Sequence, residues 1–234
     1  MSVRPDFKEL LVGCASYVEL EPRDAMYSIA TFLIDHFWGQ FDRTAEALGV
    51  LLLTWNQAFY RGQTFRFDDL EECVRKWHEE LQKARCRDIE SYRDEDEPVV
   101  QAIFDDLLKA TKLPKGWMSP VSAAKALHLL APGFFALWDS EIATEYGCYW
   151  GHSSQGTACY LRFQKEIRDV CHHVVRSYCD QFHVDEPTAS DAICTTLYRE
   201  HCPSKSPILK SLVKIVDEYN YATFTLPKLR GASS

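Results

Sequence analysis

Between Asp106 and Asp139 the chain has no aspartate or glutamate, although acidic side chains elsewhere bring the whole protein to a formal net charge of −8. That overall balance argues against a protein that coats nucleic acid nonspecifically, because phosphate binding needs clustered Lys and Arg. Long apolar runs are missing too. Residues 49–53 and 126–135 are the most apolar stretches, and Thr, His, Pro or Gly interrupts them well short of the roughly 18 residues of a membrane span. The opening Met1-Ser2-Val3-Arg4-Pro5-Asp6 lacks an apolar signal core, so the expected location is cytoplasmic, nucleoid-associated or nuclear. No Cys-x-x-Cys pair occurs among the nine cysteines. They are odd in number and scattered through helical patterns, and Cys171-His172-His173 with Cys179 and His183 lacks zinc-site spacing. Buried thiols are expected, with no metal. No recognised cofactor motif is present, so no cofactor is expected either. Strand alternation is scarce and no solenoid-period repeat occurs, which excludes sheet and repeat architectures.

Apolar residues instead recur at helical intervals, as in Met26, Ile29, Phe32, Leu33 and Phe37, and again in Ile208, Leu212 and Ile215. With 46% hydrophobic and 26% charged residues over 234 positions, the chain is expected to form an all-α, compact, two-lobed helical domain. It spans residues 1–230, with a short tail at 231–234, and is expected to be a monomer. The lobes are read as about 1–90 and 96–230, separated by the acidic, arginine-bearing connector 85–97. Caps open the candidate helices: Asp42 before 45–60, Asp68 before 70–84, Glu97-Pro98 before 99–112 and Ser206-Pro207 before 208–219.

The acid-free stretch holds Lys109, Lys112, Lys115 and Lys125, a local charge of +4. An anion would bind there, although Lys109 and Lys112 equally suit the C-terminus of a helix. Leu113-Pro114-Lys115-Gly116-Trp117-Met118 reads as a turn. Ser119 then caps a helix with Pro120 at its first position, reaching about residue 130, so the arrangement is helix, hairpin, helix. Small residues at Ser122, Ala123, Ala124 and Ala126 permit close approach of another backbone, and the first N–H groups of the helix are positioned to receive a phosphate. Pro132-Gly133 stops the helix, and residues 134–138 deliver Asp139 from an apolar surround. On spacing alone Asp139 reads as the cap of the next helix. His128 lies one turn after Lys125 on nearly the same face, suited to contacting DNA, to tuning the lysine or to a structural role. The polar cluster Asp217-Glu218-Tyr219-Asn220-Tyr221 ends a helix and is assigned no chemistry.

The run from Ser122 through Lys125 and His128 to Pro132, followed by Phe135-Ala136-Leu137-Trp138-Asp139, resembles the core of the helix-hairpin-helix DNA glycosylase superfamily. The likeness extends over about 99–169 and more faintly to residues 51–56, and marks the chain as a divergent member: the hairpin has one glycine, Gly116, where two are usual. The resemblance implies an enzyme that excises a damaged or modified base from double-stranded DNA after flipping it out, in repair or antiviral defence, with associated strand cleavage in the bifunctional members. It implies Asp139 and Lys125 as catalytic residues, the lysine by attack on the sugar and the aspartate by assisting departure of the base. Lys109, Lys112, Lys115, Gly116, Ser119, Ser122 and His128 would contact DNA. Trp55, Asn56, Gln57, Trp117 and Trp138 would form the base pocket, although each Trp also suits a helical core and Asn56 a local backbone bond. The alternative is a non-catalytic nucleic-acid-binding or protein-interaction module of the same fold.

Overall fold

The computed structural model describes residues 4–21, 24–201 and 209–231, and among them every regular element is a helix. Helix α1 (Phe7–Leu20) opens on a capping box, in which the Asp6 side chain accepts from the Glu9 backbone and Glu9 reaches back to the Asp6 N–H. Helices α2 (Asp24–His36), α3 (Phe41–Trp55) and α5 (Phe67–Arg85) follow, with a single-turn α4 (Gln57–Tyr60) between the last two. Helix α6 (Glu97–Ala110) leads through a tight turn to α7 (Pro120–Leu130), then α8 (Ser140–Glu145), the long α9 (Gly156–Phe182), α10 (Glu186–His201) and α11 (Leu212–Asn220). A π-helical turn (Tyr221–Thr225) joins α11 to α12 (Leu226–Gly231). None of the described helices is long and apolar enough to cross a membrane.

Three sequence expectations change in detail. The helix expected over 45–60 begins at Phe41 and breaks at Asn56 (φ −124°, ψ 34°), where the Asn56 side chain bonds Ser119 and Ser122 on α7 instead of its own helix. The last long helix opens at Ser211, whose hydroxyl accepts from the Lys214 N–H. The expected cap Ser206-Pro207 lies outside the described residues. The connector is not simply solvated. Ile89 and Tyr92 are wholly buried, the Ile89 N–H donates to Gly133 O at 2.9 Å, and Arg87 forks onto Asp96. Two apolar anchors therefore pin a charged strap.

The packing also departs from a division at residues 91–95. Helices α2, α3 and α5 lie together and continue across the strap into α6 and α7, because α5 packs on α6 and α3 on α7. Helix α1 leaves this group and packs on α9, α10 and α11. Its buried face, Phe7, Leu10, Cys14 and Tyr17, has its counterpart far along the chain, as in the Cys14 thiol bonded to Ile215 O. One continuous apolar core joins both groups. Cys14, Cys73, Cys148, Cys171 and Cys194 sit in it as buried residues, while Cys86 is exposed.

Candidate functional site

Helix α7 lies in the centre of the molecule and most of it is buried. The Ser119 side chain accepts from the Ser122 N–H, and Pro120 occupies the first helical position, where it has no amide hydrogen to leave unpaired. Lys125 sits one turn in and is 8% exposed. Its ammonium donates to Trp55 O at 3.0 Å and lies 5.8 Å from the centre of the Trp55 ring. That carbonyl is available because α3 ends at Trp55, and the last carbonyls of a helix lack intrahelical partners. The break at Asn56 thus creates the seat for the lysine.

Asp139 does cap the next helix: Oδ1 accepts from the Ile142 N–H at 2.7 Å, while Oδ2 accepts from the Thr225 hydroxyl at 3.0 Å. Burial pushes the Asp139 carboxyl above the ordinary carboxylate range. The Ile142 N–H, the Lys125 charge and the Thr225 hydroxyl oppose that shift without cancelling it, and the Asp217 charge adds to it. The capping role and the strained electrostatics therefore belong to the same side chain.

Lys125 and Asp139 open into one cavity of about 360 Å³, with Trp55, Asn56 and Trp138 among its other walls. Five of the sequence-predicted residues are thereby brought together. Trp138 serves mainly as core: it is 1% exposed, its ring lies 4.4 Å from that of Trp150, and its Nε1 has no hydrogen-bond partner among the described residues. Gln57 and Trp117 are exposed and do not line the cavity. They are withdrawn from the pocket.

The expected DNA-contacting set is also reduced. His128 is completely buried; its Nδ1–H donates to Phe135 O at 2.7 Å and its Nε2 accepts from the Tyr27 hydroxyl at 2.9 Å. Because a carbonyl only accepts, this pairing fixes the tautomer, and burial lowers the imidazole pKa to about 4. It is a neutral structural histidine, out of reach of DNA. Ser122 is wholly buried and Ser119 nearly so, both engaged by Asn56. The start of α7 is roofed by α9, since a Cβ on Gly156 would stand 2.6 Å from Pro120 Cγ. The Ser122 and Ala123 N–H groups are taken up by Ser119. Lys109 lies 3.5 Å from Asp106. Exposed on the turn are Lys112, Lys115, Gly116 and Trp117. Gly116 takes φ +82°, and the turn is closed by Leu113 N–H to Trp117 O and Gly116 N–H to Leu113 O, each 2.8 Å.

Further walls come from residues to which the sequence reading gave no chemistry: Tyr17 on α1, Asp217 on α11, and Tyr221 and Thr225 on the π-helical turn. Behind Asp217 lies a buried chain of alternating charge. Lys214, with no exposed surface, is 2.9 Å from Asp217 and 3.5 Å from Glu218, and Lys210 bridges Glu218 at 2.6 Å and Asp24 at 2.7 Å. Burial alone would lower the Lys214 pKa, but the surrounding Asp217, Tyr17, Glu218 and Asp24 hold it well above its ordinary value. The rings of Tyr17, Tyr27 and Trp55 face the same ammonium at 4.7, 4.9 and 5.2 Å. A lysine with acids three and four residues on, inside an apolar helical run, was the available signal. No family model, curated protein or solved structure matches the chain.

Proposed function

We propose that the protein is a DNA glycosylase of the helix-hairpin-helix type, excising a damaged or modified base in repair or antiviral defence. The observation that carries this reading is the meeting of Lys125 and Asp139 in one aromatic-walled cavity, reached from two different elements. Its volume lies within the range of about 300–1,000 Å³ usual for small-ligand sites. A base inside a duplex is inaccessible, so the target nucleotide must be rotated out of the stack into such a pocket. As the bond from C1′ to the base nitrogen lengthens, its electron pair leaves with the base and positive charge develops on the sugar. The Asp139 carboxylate, in its low-dielectric setting, stabilises that charge and orients the water whose oxygen bonds to C1′. The departing base and the solvent share the proton released.

Lys125 serves in its ammonium form, tied to Trp55 O. A Schiff base would require this bond to break and a proton to be lost, so base release without strand cleavage is the expected activity. Lys112, Lys115 and the exposed Trp117 meet the duplex.

A panel of modified-base duplexes, scored with and without hot alkali and with borohydride trapping, tests this. Release of a base should depend on Asp139 and Lys125, and strand breaks should appear only after alkali. If Asp139→Asn and Lys125→Ala both leave intact the release of a base that the parent excises, the assigned roles are wrong. The second reading, a non-catalytic nucleic-acid-binding module, draws on the exposed basic turn, which needs no cavity to bind. It requires duplex binding with no base released from any member of the panel.

A further inference from the structure

Resting on the glycosylase reading, we infer that Asp217 is a specificity-determining residue that selects a guanine-class base by accepting hydrogen bonds from its N1–H and exocyclic amino group.

Asp217 lines the same cavity as Asp139 and Lys125 but enters from α11. Its Oδ2 accepts from the buried Lys214 ammonium at 2.9 Å, and Oδ1 has no partner among the described residues. The side chains of Tyr17, Trp55 and Tyr221 line the cavity beside it, giving a planar ligand an aromatic surround. An ionised carboxylate only accepts hydrogen bonds. The ligand edge that satisfies it must therefore present N–H donors, and two adjacent donors match its two oxygens. Guanine offers that pair in N1–H and the 2-amino group. Hypoxanthine lacks the amino group, and uracil has one N–H between two carbonyls, whose oxygens the carboxylate repels.

The support behind Asp217 points the same way. Asp24, Lys210, Glu218, Lys214 and Asp217 alternate in sign from the start of α2 to the cavity wall. A buried ionic chain of this kind is seldom more stable than apolar residues of the same volume. Stability alone does not account for it. Its effect here is to hold one carboxylate fixed at a cavity surface against a buried ammonium, the pre-organisation that a recognition group needs.

The test compares oxidised and N7-methylated guanine in duplex DNA with the matching hypoxanthine analogues, which lack only the 2-amino group, and with uracil. The parent protein should release each guanine member about ten- to a hundred-fold faster than its analogue, the size of one charge-assisted hydrogen bond, with uracil slowest. In Asp217→Asn the ratio within each pair should collapse toward one. A purely structural Asp217 would instead slow all substrates alike and leave the ratio unchanged. Should that variant fail to fold, the parent's own ratios decide. Equal rates within the pairs, or a preference for uracil, overturn the assignment of Asp217 while leaving the glycosylase reading intact. Release of no base from any duplex overturns both.

Discussion

On the proposed function Asp139 joins a chemical duty to its observed role as a helix cap, and the two respond differently to substitution. Asparagine caps helices as well as aspartate does, so Asp139→Asn should keep the bond to the Ile142 N–H. It removes the charge, and base release should fall at least about a hundred-fold. Burial raises the Asp139 pKa in the folded protein, so ionising the carboxyl there costs free energy, and its contribution to stability is lost as pH rises through that raised value. Asp139→Asn should therefore melt at or above the parent temperature at neutral pH, with the gap closing in acid, as thermal unfolding across pH will report. A lower melting temperature at neutral pH would contradict the burial argument. His128 runs the other way. Its folded pKa of about 4 lies below the unfolded value of about 6.5, so its contribution is complete above about 6.5 and is lost as pH falls toward 4. Denaturant titrations over that window should show a loss of order 3 kcal/mol in the parent, absent when His128 is replaced by a non-titrating residue. Sequence made the cap at Asp139 and the helical face of His128 legible, because both follow from local spacing. The burial of His128 was not, since its partners Tyr27 and Phe135 lie on other elements.

At the scale of elements, local signals predicted α5, α6 and α7 to within a few residues, and the Ser119-Pro120 start of α7 as it stands. The break in α3 escaped because the side chain that favours it, Asn56, bonds α7, about sixty positions away. The start of α7 looked open to phosphate for a similar reason, as nothing in its own sequence shows that Gly156 of α9 will lie over Pro120. That contact makes a specific prediction. Gly156→Ala places a methyl group against the Pro120 ring and must shift either α9 or α7, costing about 1–3 kcal/mol. Because α7 carries Lys125, base release should fall along with stability. The denaturation midpoint and kcat/KM measure the two losses, and an unchanged midpoint would show that the helices yield freely. The ion chain of α11 gives a sharper case. Lys214→Met leaves Asp217 and Glu218 without their buried cation and should cost about 3–5 kcal/mol.

For the whole molecule, the proposed function requires an acidic protein with a net charge of −8 to meet DNA through a small positive area. The exposed turn with Lys112 and Lys115 supplies it. Duplex affinity should drop steeply as salt rises, and Lys112→Ala and Lys115→Ala should each flatten the slope of log affinity against log salt by about one. A salt-independent affinity would remove nucleic acid as the partner. The helical class was legible from periodicity throughout, whereas the lobe division was not, because α1 finds its partners among helices that lie some 150–200 positions later in the chain. That pairing has a bearing on synthesis. A ribosome delivers Phe7, Leu10 and Tyr17 first and must wait for α9, α10 and α11 before those side chains have anything to lie against. Tyr17, Asp217 and Thr225 supply walls of the cavity, and they too converge only once the final helices emerge. A growing chain can hold Lys125 and Asp139 before it has the chamber between them, so an unfinished molecule lacks the enclosure that the proposed excision needs.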